Sequence, residues 1–60
     1  MKVYVSRDKK PIKGELRGIK GIEQTTDGLI IDFHDEDSAY RAAQVLMNSG
    51  HETVRILRKG

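Results

Sequence analysis

Leu29, Ile31 and Phe33 alternate with Ile30 and Asp32, a period of two that predicts a strand over Gly28–Phe33. From Ala39 the period changes. Ala39, Ala42, Ala43, Leu46 and Met47 recur at i, i+3, i+4, i+7 and i+8, one apolar stripe along a helix. Asp35 is placed to cap that helix, and Glu36 and Asp37 lie in its first turn, where the macrodipole favours negative charge. Gly50, after Asn48 and Ser49, supplies a left-handed stop. Tyr40 and Val45 flank the stripe and are expected to be half-buried. Val54 and Ile56 alternate again in a last strand, Glu52–Leu57, turning Thr53, Arg55 and Leu57 to the other face. At the start of the chain a further short strand, Met1–Ser6, sets Val3 and Val5 on one face and Lys2, Tyr4 and Ser6 on the other.

The segment between these elements is less regular. Arg7-Asp8-Lys9-Lys10-Pro11 reads as a loop, because proline gives no donor to a ladder and biases the residue before it toward an extended conformation. From Ile12 to Gln24, Leu16 and Ile22 share a parity while Ile19 falls out of phase, with glycines at 14, 18 and 21. Either a long strand carries a bulge or kink near Gly18–Gly21, or an extended arm leads into an edge strand from Ile19 to Gln24. Thr25-Thr26-Asp27-Gly28 then forms a tight hairpin turn, with Gly28 expected at positive φ. The order is therefore β-β-β-α-β: an α+β domain with a mostly antiparallel four-stranded sheet and one helix on one face. A single short helix leaves the far face uncovered, with Tyr4, Ile30, Thr53, Arg55 and Leu57 on it.

Composition narrows the setting. Sixty residues make one domain, near the lower limit for folding without disulfides or metal, and there is no cysteine. No apolar run approaches the ~20 residues that span a bilayer, and the N-terminus lacks the apolar core of a signal peptide, so a cytoplasmic protein without a membrane is expected. A third of the residues are charged and only three are aromatic, so the core must be thin and aliphatic. Chains of this kind gain stability by pairing with a partner or with a copy of themselves. Net charge is only +2, but residues 1–20 carry +5, residues 21–40 carry −6 and residues 41–60 carry +3. That polarity can steer charged partners; its simpler reading is a solvated surface.

Candidate chemistry is sparse. His34, Asp35, Glu36 and Asp37 are sequence neighbours that rarely converge on one ion, and His51 lies about 20 Å away across the helix at 1.5 Å per residue. Ser6, Ser38 and Ser49 have no base and orienting group beside them, and no glycine-rich phosphate loop occurs. No catalytic residue, metal, cofactor or small-molecule substrate is therefore assigned, and an enzyme is not expected. A nucleic-acid interface has more behind it. Arg7, Lys9, Lys10, Lys13, Arg17 and Lys20 cluster in sequence, and Arg55, Arg58 and Lys59 are candidates to join them in space. Against it, Tyr4 is the only candidate stacking platform, and the helix presents acids and alanines rather than groove-reading side chains.

Phe33, the acidic cap, Ala39, Ala42, Leu46 and Gly50 before a strand resemble the second half of RNA-recognition motifs and of peptidoglycan-binding SPOR domains. The resemblance covers about half the chain and implies a ferredoxin-like arrangement there. Gly28–Phe33 lacks the RNA-stacking aromatics, and residues 7–24 have no counterpart of either family's first helix, so no function is carried over. The sequence thus points first to a non-enzymatic binding or regulatory module that acts through the open sheet face or an edge strand. Its partner is another protein or a second copy. Tyr4, Ile30, Arg55 and Leu57 are the expected contacts, with Arg17 and Lys20 on the rim. The alternative is a nucleic-acid-binding accessory protein using Arg7–Lys20.

Overall fold

The computed structural model describes residues 1–7 and 11–57. Four strands and a helix follow in the order β1 (Lys2–Ser6), β2 (Ile19–Gln24), β3 (Gly28–Phe33), α1 (Glu36–Asn48) and β4 (Val54–Leu57). They form one sheet of order β2-β3-β1-β4 in which every neighbouring pair is antiparallel. Because β3 and β4 both oppose β1, they run parallel to each other with β1 between them. Helix α1 is the crossover that such a connection requires.

The alternating positions set the layers. Val3, Val5, Ile31 and Phe33 are buried from the sheet and meet Ala39, Ala42, Ala43 and Leu46 from the helix. Met1, Leu16, Leu29, Val54 and Ile56 pack around them. The alanines let α1 lie close to the sheet, and this narrows the arc of helix that is covered. Tyr40 and Met47 sit roughly 90–110° round from the centre of the stripe at 100° per residue. They are 37% and 52% exposed, so Tyr40 is half-buried as expected while Met47 lies outside the covered stripe.

Both helix ends differ in how they are closed. Asp35 is the N-cap by backbone geometry (φ −140°, ψ 166°) but makes no side-chain cap hydrogen bond. Its carboxylate turns toward Gly18 instead, where an added Cβ would lie 3.6 Å from Oδ1. The C-terminal end closes as expected. Gly50 takes φ 86°, its N–H donates to the Met47 carbonyl, and the His51 N–H donates to that of Leu46.

Residues 11–18 form the arm alternative rather than a continuous strand, and the arm runs along α1. The Lys13 N–H donates to Ser49 Oγ at 2.8 Å, Leu16 reaches the core, and the His34 N–H donates to the Gly18 carbonyl at 2.9 Å. Edge strand β2 then starts with a register shift between Ile19 and Gly21, a bulge that leaves Lys20 as the extra residue. Buried Ser49 serves both arm and helix, because its hydroxyl also donates to the Val45 carbonyl at 2.8 Å. Ser49→Ala leaves the Lys13 N–H without its partner and is expected to cost about 1–2 kcal/mol. A denaturant titration checks this; an unchanged midpoint would mean the arm is not held there.

Gly28 has a different role from the one expected. Its φ is not positive. The turn is closed by Thr25, whose N–H donates to the Gly28 carbonyl (2.9 Å) and whose Oγ1 accepts from the Gly28 N–H (3.0 Å). Glycine is needed because a Cβ at position 28 would lie 2.2 Å from the Val5 carbonyl oxygen and 3.0 Å from the Tyr4 ring.

Candidate functional site on the open sheet face

Strand pairing turns the alternate residues of four strands into rows on the face opposite α1. Glu23 lies beside Ile30, Ile30 beside Tyr4, and Tyr4 beside Arg55. Two residues along, Gly21 lies beside Asp32, Asp32 beside Lys2, and Lys2 beside Leu57. The four side chains expected to make contact (Tyr4, Ile30, Arg55 and Leu57) therefore share one surface. Tyr4 lies low on it, its ring over the Cα of Gly28. Leu57 is 39% exposed and Ile30 half-buried, so both present apolar surface.

The face is shallow and divides by charge. On the β1–β4 side Tyr4, Thr53, Arg55 and Leu57 surround a depression closed at one end by Asp27. On the β2–β3 side Gly21, Glu23, Ile30 and Asp32 line another with Lys2. Acids thus occupy the β2–β3 half and bases the β1–β4 half. The Asp32 carboxylate also lies 3.7 Å from the Met1 amino group. These groups can hold ions and hydrogen-bonding partners across a flat interface, and none is set against a nucleophile. Among the described residues no three metal-ligating side chains group together.

The rim residues separate. Lys20 lies with Lys2, Asp32, His34 and Leu57 at the end of the sheet. Arg17 does not join it. It sits on the helix flank with Ser38, Arg41 and Val45, its guanidinium bonded to Glu15 Oε2 at 2.8 and 3.1 Å. The arm carries Arg17 to the helix side of the sheet, and this corrects its place on the rim of the open face.

Among the described residues of the basic segment, the side chains are spread out. The Arg7 guanidinium donates to the Thr25 carbonyl at 3.2 Å, and the Arg7 N–H to that of Asp27 at 3.0 Å, tying the end of β1 to the hairpin turn. Lys13 stands at the C-terminal end of α1, while Arg17 stands toward its other end, about 13 Å further along an extended arm. Lys9, Lys10, Arg58 and Lys59 lie outside the described residues. Arg55 faces away from α1, on the open face.

Alternation sets Lys2 with Tyr4 and Asp32 with Ile30 on the outward side of their strands, so both could be found on the face from sequence. Glu23 and Gly21 could not be, because the bulge at Lys20 sets the parity of β2. The helix is 13 residues long and is not long and apolar enough to cross a membrane. Compared with protein-family models, curated proteins and solved structures, the chain matches none of them.

Proposed function

We propose that this chain is a non-enzymatic binding module whose open sheet face engages a protein surface, either another protein or a second copy of itself. One observation carries the reading. Helix α1 covers a single face of the sheet, and the other presents Tyr4, Ile30 and Leu57 among charges of both signs. An apolar centre with a charged rim is the anatomy of a protein contact. Its shallow relief and its lack of a positioned nucleophile or base argue against catalysis. Phosphate recognition would ask for like-signed groups on one surface, whereas here each base has an acid on the same face.

Leu57→Asp is the direct test. Half-exposed at the edge of the sheet, Leu57 can be replaced at a folding cost of about 1 kcal/mol or less. A photo-reactive residue at position 57 should crosslink the chain to a protein in the cells that produce it, and one at exposed position 47 on the helix should not. A chain with the photo-reactive group at position 53, which lines the same depression as Leu57, should give the product too, and adding Leu57→Asp to it should abolish that product. Crosslinking only from position 47, or unfolding of the Leu57→Asp chain, would remove the sheet face from the reading.

A further inference from the structure

The open face is complementary to itself, and we infer that its partner is a second copy of this chain, stacked face to face about a two-fold axis parallel to the strands. This inference rests on the sheet-face reading and goes beyond it by naming the partner and the register. The sheet has four strands in the order β2-β3-β1-β4, so an axis running between β3 and β1 exchanges β2 with β4 and β3 with β1. It keeps each row at its own height. The upper row then sets Glu23 over the partner's Arg55 and Ile30 over the partner's Tyr4. The lower row sets Asp32 over the partner's Lys2, and Leu57 over the partner's Gly21, where no side chain competes for the space.

The contacts of these two rows are favourable in kind. Two acid–base pairs repeat twice by symmetry, an aromatic meets a branched aliphatic at the centre, and a large side chain meets a glycine. Two sheets packed face to face lie about 10 Å apart with strands within about 30°, a gap that Arg55 and Glu23 can span. Two other registers fit less well. An axis across the strands through the upper row would stack Glu23 on Glu23 and Arg55 on Arg55. Moved midway between the rows, it would press Ile30 against Asp32 and Tyr4 against Lys2. Isologous pairing also suits a chain of 60 residues with eight buried core side chains among its described residues, which gains stability by covering its open face.

Charge reversal tests the register without touching the core. Sedimentation equilibrium of the wild-type chain should show a monomer–dimer equilibrium. Glu23→Arg and Arg55→Glu should each raise the dimer dissociation constant at least about tenfold, because each sets like charges against each other twice. The double variant E23R/R55E restores opposite signs and should return the constant to within about threefold of wild type. A wild-type chain that stays monomeric at millimolar concentration overturns the inference, as does a dimer that the double variant fails to restore. If that monomer still crosslinks to another protein through position 57, the self-pairing is wrong and the sheet face stands. A dimer lost on Ile22→Asp at the β2 edge, but indifferent to both reversals and to Leu57→Asp, removes both.

Discussion

Phe33→Ala is expected to unfold the chain. Phe33 is 1% exposed between the sheet and α1, and emptying such a site costs about 3–5 kcal/mol. A domain of this size has a total stability of only about 3–9 kcal/mol at ~0.05–0.15 kcal/mol per residue. Far-UV circular dichroism and amide dispersion at 25 °C should show a largely disordered chain. Ile30→Ala, three residues earlier on the opposite face, should keep a cooperative transition and lose about 1 kcal/mol. Equal losses at the two positions would mean that the faces of β3 are wrongly assigned, and with them the open surface.

The second large effect is at Gly28. An alanine there drives a Cβ into the Val5 carbonyl at 2.2 Å, so β1 and β3 must part where they pair. A loss of about 2–4 kcal/mol follows. Gly28→Asn separates this cause from backbone strain. Asparagine tolerates positive φ, so it would be mild if glycine were there for its conformation. It should instead be at least as damaging as alanine. A stable Gly28→Asn chain, with alanine destabilised, would restore the positive-φ reading of the turn.

The sequence was most legible where one period ran undisturbed. Ala39, Ala42, Ala43 and Leu46 marked the buried helix face, Leu29, Ile31 and Phe33 the core side of β3, and Gly50 the helix end. Met47 fitted the spacing yet is 52% exposed, because a helix resting on alanines touches the sheet over a narrower arc than its hydrophobic stripe spans. Gly28 was noticed for the right turn and the wrong reason, since what constrains it is a carbonyl 23 residues earlier in the chain. Of the face, Tyr4, Ile30, Arg55 and Leu57 were readable from alternation alone. That they form rows, and that Glu23 and Gly21 extend those rows, depends on strand order and on a bulge, neither of which local pattern encodes. Arg17 was misplaced for a related reason. Nothing in its neighbours says that the arm crosses to the helix side before β2 begins.

The measurement that bears most directly on the binding face is a map of backbone amide shifts. Isotope-labelled protein would be followed from about 20 μM to 1 mM and, separately, on addition of mixed-sequence DNA and RNA at low and moderate salt. The concentration series should move Lys2, Tyr4, Ile30, Asp32, Arg55 and Leu57 together and leave Arg41, Gln44 and Met47 on the outer side of α1 still, with nucleic acid adding nothing. Shifts confined to Arg7 and Ile12–Lys20, appearing only with nucleic acid and fading with salt, would contradict it and make the basic arm the functional surface.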